Sequence, residues 1–228
     1  MIFNIALMIE DKIKSTRDKI VSACRRSGLD PAGIIVVGVT KTVSAEKVSA
    51  ALKAGIRDIG ESRIQEAAAK FPSLELTGVK KHLIGHLQTN KSKKAVELFD
   101  VIQSLDRLDL AKEIDRHAKA AGKVQECLLE IKVSDEATKF GIPCEEAEEL
   151  VRQTASLGNI RITGLMTMAP FFDDPEKARP FFRKAKKLYD DLKAVYGFST
   201  LSMGMSGDFE IAVEEGANMV RIGTAIFK

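Results

Sequence analysis

Runs of β-branched and apolar residues alternate with helical patterns along the whole chain, and this rhythm narrows the fold more than any other feature. Ile34 to Val39 is apolar at nearly every consecutive position, as a strand covered on both faces of a parallel sheet requires. Before it, Ile9, Ile13, Thr16, Ile20 and Cys24 recur at helical spacing until Gly28 and Pro31. After it, Val48, Ala51 and Leu52 mark a helix closed by Gly55, and Ile56 to Ile59 reads as the next strand. Ile64 to Phe71 is helical up to Pro72, and His82 to Ile84 is strand-like. Lys91 to Phe99 gives a short helix before the strand Val101-Ile102. Asp106 is expected to cap a helix running through Leu110, Ala111, Ile114 and Ala118 to Gly122, with Cys127 to Val133 the following strand. Pro143 is expected to open a helix ending at Gly158, before a strand from Ile160 to Met166. Pro175 starts a longer helix through Phe182, Ala185, Leu188 and Leu192 to Gly197, with a kink expected at Pro180. Leu201 to Met203 and Met219 to Ile222 are the last strands, with helical Phe209 to Glu215 between them.

About eight strands, each but the last followed by a helix, is the α/β pattern of a (β/α)8 TIM barrel. A doubly wound open sheet is the rival, but it usually has fewer strands. The sequence stops at Lys228, with no room for an eighth outer helix, so the N-terminal helix is expected to pack in its place. No stretch is rich enough in Pro, Gly or Ser to be a linker, and residues 1–228 read as a single domain.

Composition removes several function classes. Hydrophobic residues at 45% and charged residues at 29% support a large core and exclude disorder as the main state. Lys plus Arg at 35 against Asp plus Glu at 32 leaves a formal charge of +3, too balanced to signal nucleic acid or a membrane surface. Cys24, Cys127 and Cys144 form no CxxC and, being three, neither a closed disulfide set nor a tetrahedral zinc site. The apolar stretch Met1 to Ile9 lacks a basic flank and a cleavage site. A cytoplasmic, soluble protein is expected.

Active sites of such barrels lie where the strands end. The residues expected there are Thr40-Lys41-Thr42, Gly60-Glu61-Ser62, Gly85 to Lys91, Gln103 to Asp106, Ser134-Asp135, Met166 to Ala169, Gly204 to Asp208 and Arg221 to Thr224. Lys41 directly follows an apolar strand, where desolvation and neighbouring cations would lower its pKa from about 10.4 and free the lone pair needed for an imine. A snorkelling lysine at a strand end is the ordinary alternative. The Gly/Ser/Thr-rich turns after the last two strands are where barrels often hold phosphate. An imine-forming lysine opposite a phosphate cradle suggests pyridoxal phosphate, or a phosphorylated sugar handled by a class I aldolase.

Val39-Thr40-Lys41-Thr42, Gly60 to Glu66, His82 to Lys91, Leu201 to Ser206 and Met219 to Phe227 resemble, in order, successive blocks of the pyridoxal phosphate homeostasis protein family. The resemblance implies a barrel similar to the N-terminal domain of alanine racemases, with pyridoxal 5'-phosphate joined to Lys41 as an aldimine. It implies Arg221 at the pyridine nitrogen and Ser206, Gly223 and Thr224 at the phosphate. Ser62, His86 and Met203 complete the expected cofactor-binding set. The chain departs from the family at Ser62, where Asn is usual, at Gly207-Asp208, where an acidic pair is usual, and at Lys81, where an aromatic residue is usual.

The function implied is a carrier that buffers the cofactor, with apo enzymes of pyridoxal phosphate as candidate recipients, and a monomer is expected. An arginine at the ring nitrogen keeps the ring unprotonated and a weaker electron sink than a carboxylate partner would. The two tyrosines, Tyr189 and Tyr196, fall on an outer helix, and no further domain is visible to supply a second acid/base. No catalytic residue is therefore assigned, and a weakly active amino-acid racemase is the alternative. His82 and His86 lie in a strand and turn rather than on one helical face, so no metal site is assigned. Phe171-Phe172 is expected in the core or as a loop anchor. Lys91, Lys93 and Lys94, like Arg183 to Lys187, read as solvated helix faces.

Overall fold

A computed structural model describes residues 2–134 and 140–228. Nine strands in a single parallel sheet are described: β1 (Ile35–Val39), β2 (Asp58–Glu61), β3 (Lys80–Leu83), β4 (Val101–Leu105), β5 (Gln125–Lys132), β6 (Ile142–Pro143), β7 (Ile160–Thr167), β8 (Thr200–Ser202) and β9 (Met219–Ile222). Their order is β4-β3-β2-β1-β9-β8-β7-β5-β6, and a further β4–β5 pairing closes eight of them into a barrel. The two-residue β6 stays outside the ring, paired only with Ile131 and Lys132 of β5.

The helices are α1 (Ile2–Ser27), α2 (Ala45–Lys53), α3 (Ile64–Lys70), α4 (Ser92–Leu98), α5 (Leu108–Ala120), α6 (Ala147–Thr154), α7 (Arg179–Tyr196), α8 (Phe209–Glu214) and α9 (Thr224–Phe227). As the sequence suggests, α1 takes the outer place left by the last strand: it packs on α2, α8 and the single turn of α9. It begins at Ile2, earlier than the spacing of its buried residues predicts.

Several local expectations are corrected. β2 begins later than expected, at Asp58, where its pairing with β1 starts, and β3 begins earlier, at Lys80, which pairs with Asp58. Asp106 does not cap α5; its carboxylate accepts from Arg107 Nη1 at 2.6 Å, and the helix begins at Leu108. Pro143 ends β6, and a 3-10 turn precedes α6. Pro180 sits in the first turn of α7, where its missing N–H has no helical partner to lose, so it starts the α-helix rather than kinking it. Phe171 is 89% exposed, whereas Phe172 stacks on Phe181 at 5.8 Å.

Strand alternation divides the core in two. Outward residues join the helices in one large cluster. Inward residues form a small apolar plug of Val37, Val101, Leu128, Met166 and Met219, and other inward positions are polar: His82, Gln103, Ser202 and Arg221. At Gly164 the neighbouring strand passes so close that a Cβ would lie 1.8 Å from Thr200 O, so β7 tolerates no side chain there.

If α1 completes the outer ring, shortening its buried face weakens the whole fold. Ile13→Ala (Ile13 is 3% exposed) is expected to cost about 2–5 kcal/mol, read as a lower urea midpoint with an unchanged slope.

Candidate functional site

The ends of β1, β2, β7, β8 and β9 surround a cavity of about 280 Å³ lined by Val39, Lys41, Ser62, Ile84, Met168, Met205, Ser206, Gly207, Arg221, Gly223 and Thr224. A second hollow of about 430 Å³ shares Val39, Lys41, Gly223 and Thr224 and extends over Ser44, Lys47 and Phe227. Lys41 therefore stands on the wall common to both.

Lys41 belongs to the turn after β1, not to the strand, and it is exposed. That corrects the expectation of an amine drawn into the barrel and desolvated. What the fold fixes instead is the turn. Thr42 adopts φ 59°, a left-handed conformation costing a β-branched residue about 1–3 kcal/mol, which its surroundings must offset. Its N–H donates to Glu66 Oε1 of α3. Lys70 Nζ, one helical turn on, donates to Glu66 Oε1 at 3.1 Å, to Glu61 Oε1 at 2.7 Å and to Thr40 O at 2.6 Å. Thr40 Oγ1 donates to the same Glu61 oxygen at 2.7 Å. Glu61 is fully buried; burial pushes its carboxyl above the usual range, against the pull of Lys70 and Thr40. Burial raises Glu66 too, but the Thr42 N–H and Lys70 outweigh it and hold the group low. An ionic clamp thus grips the residues on both sides of Lys41 and leaves Lys41 itself exposed.

The opposite wall is built from two turns tied together. Ser206 Oγ accepts from the N–H groups of Gly223 and Ala225, each at 3.2 Å. Gly204 turns β8 away at φ 91°, where a Cβ would lie 2.5 Å from Ala212 Cβ. Met205 N–H donates to Asp208 Oδ1 at 2.6 Å, closing the loop before α8.

Arg221 lies between these walls, 4% exposed. Nη1 donates to Ser202 Oγ at 2.7 Å and Nη2 to Thr167 O at 2.8 Å. Burial lowers its pKa to about 10, against the charges of Glu130 and Asp208. Glu130 is itself raised to about 7, by burial first and then by Asp106, with Arg221 opposing.

Of the residues the sequence singles out, Lys41, Ser62, Ser206, Arg221, Gly223 and Thr224 line one cavity. His86 and Met203 do not. The turn after β3 presses against Ser62, where a Cβ on Gly85 would lie 2.2 Å from Ser62 O, and His86 stacks on Phe140 at 4.0 Å with Asp106 3.6 Å away. Met203 follows the inward Ser202 and points outward, fully buried in the helical core. Asp135 lies outside the described residues. Val39, Ile84, Met168, Met205 and Gly207 join the cavity without belonging to the expected cofactor-binding set; their position at strand ends is the signal the sequence gives.

The alanine racemase N-terminal domain model matches residues 24–228. The pyridoxal phosphate homeostasis protein of Aquifex aeolicus (strain VF5) is 40% identical over 219 residues, covering 95% of this chain and 96% of the relative. The chain belongs to this family. The protein of the same name from Escherichia coli (strain K12) is 39% identical over 226 residues, covering 96% of this chain and 95% of the relative. Among solved structures, PipY of Synechococcus elongatus PCC7942, with PLP bound, superposes with a TM-score of 0.82 at 34% identity, covering 96% of this chain and all of that one. An alanine racemase from Clostridium difficile 630 shares the fold, with a TM-score of 0.72 at 17% identity over 92% of this chain and 59% of its own.

The clamp yields a measurable outcome. Lys70→Ala leaves the Glu61 carboxylate buried without its cation, and the expected loss is about 3–5 kcal/mol at neutral pH by chemical denaturation. Without its partner Glu61 binds a proton more tightly folded than unfolded, so the deficit shrinks as pH falls toward the carboxylate range. Adding Glu61→Gln is expected to restore much of the stability.

Proposed function

We propose that this protein binds pyridoxal 5'-phosphate at the barrel mouth and serves as a carrier that buffers it, rather than as an efficient enzyme. The observation that carries the reading is that a free lysine amine and the tied Ser206/Gly223/Ala225 turns face one cavity. The donor set fits the group: a primary amine, a guanidinium and a cluster of backbone N–H and hydroxyl groups. When bound, the group supplies an aldehyde that condenses reversibly with a primary amine. Ser206, Gly223 and Thr224 would hold the phosphate, with Ser206 Oγ yielding the two N–H groups it now accepts from. Arg221 offers donors only, so it holds a ring nitrogen in its unprotonated state. The clamp orients the Lys41 turn, and the exposure of Lys41 leaves a route by which a ligand can depart toward apo enzymes.

A racemase reading is less well supported. Tyr189 donates to Phe198 O and Tyr196 to Glu148, so neither serves as a second acid/base at the cavity. The whole of 1–228 acting as one unit, as a monomer, is part of the same proposal.

Borohydride treatment of protein loaded with pyridoxal phosphate, followed by peptide mapping, is expected to mark Lys41. A pyridoxyl group found elsewhere, or full labelling of Lys41→Ala, would remove the assignment. Chiral analysis of alanine incubated with the loaded protein is expected to show turnover far below the enzyme median of about 10 per second.

A further inference from the structure

One chain of hydrogen bonds runs through the barrel interior from one end of the sheet to the other. Arg221 Nη1 donates to Ser202 Oγ at 2.7 Å, and Ser202 Oγ donates to Gln103 Oε1 at 2.7 Å. Gln103 Nε2 pairs with His82 Nδ1 at 2.9 Å, and His82 Nε2 pairs with Asp58 Oδ1 at 2.9 Å. Ser202, Gln103 and His82 are fully buried, and no helix contributes to the chain. Asp58 is the first residue of β2, at the end opposite the mouth; its side chain is 19% exposed and borders a hollow lined by Arg17, Ile35 and Ile56.

With the His82 ring neutral, the two termini decide the polarity of everything between them. A guanidinium only donates and a carboxylate only accepts. Ser202 must therefore spend its proton on Gln103, the Gln103 amide must turn its NH2 to His82, and His82 must carry its proton on Nε2. Each link has one allowed direction, and bonds aligned head to tail polarise one another. We propose that Asp58, through His82, Gln103 and Ser202, is a positioning residue for Arg221, fixing from the far end of the barrel the guanidinium that faces the ligand. The identity of that ligand rests on the proposed function; the relay itself does not.

Asp58→Asn keeps the shape but admits both histidine tautomers, and Gln103→Leu cuts the chain at its middle. In unloaded protein, both are expected to shift and broaden the ¹⁵N side-chain resonances of Arg221. With pyridoxal phosphate added, each is expected to weaken binding about 3- to 10-fold and to move the absorbance maximum of the bound ligand. Because both act through one path, D58N adds almost nothing in the Q103L background. Asp100, which pairs with Lys81 at 2.8 Å near the same end of the barrel, is the control: D100N is expected to leave all three readouts unchanged. Unchanged Arg221 resonances and affinity in D58N, a full-size D58N effect in Q103L, or the same effect from D100N would each overturn the relay. If Q103L does not fold, Ser202→Ala removes the adjoining link instead. Wild-type protein that ignores pyridoxal phosphate defeats the functional reading, while the Arg221 resonances still decide the relay.

Discussion

A charged guanidinium inside a closed barrel is costly to desolvate, and the interior supplies it with polar partners. Arg221 is 4% exposed, yet it meets Ser202 and the Thr167 carbonyl at hydrogen-bond distance. Eight parallel strands normally fill such a space with branched aliphatics. Here the apolar plug is five residues, and polar side chains take other inward positions. Glu130 and Asp208 lie close enough to oppose the lowering of the Arg221 pKa, while its donors meet the neutral Ser202 and the Thr167 carbonyl.

The two walls of the mouth achieve order differently. On the lysine side, charge does it: three residues of the β2–α3 segment, Glu61, Glu66 and Lys70, hold the residues flanking Lys41 while its amine stays in solvent. On the other side, the tie is neutral, two N–H groups on one hydroxyl. An exposed amine thus faces a wall of ordered N–H and hydroxyl groups across one cavity.

The barrel and much of its mouth are legible in the sequence because strand and helix periods differ and each strand end names its own loop. Ile34 to Val39 and Cys127 to Val133 announce themselves by unbroken apolar runs; the short β3 and β8 owe their bounds to pairing, which no single segment reveals. Met203 illustrates the limit: its place in a motif suggested the site, but a one-residue change of parity turns it into the outer core. The desolvation expected for Lys41 failed for a related reason, since two residues beyond Val39 the chain has already left the strand. Asp58, Gln103 and Ser202 left a fainter trace, polar residues at inward positions of otherwise apolar strands, readable only once the register is known.

Thr42 carries a lesson for anyone moving this lysine loop into another scaffold. A hexapeptide copied from the end of β1 would relax, because the residue after the lysine prefers other backbone angles and is kept from them by a helix more than twenty positions downstream. The transferable unit is the strand, its turn and the amphipathic helix of the next repeat together, so that recombination between barrels at the β1–α2 boundary would carry the lysine without the contacts that set its turn.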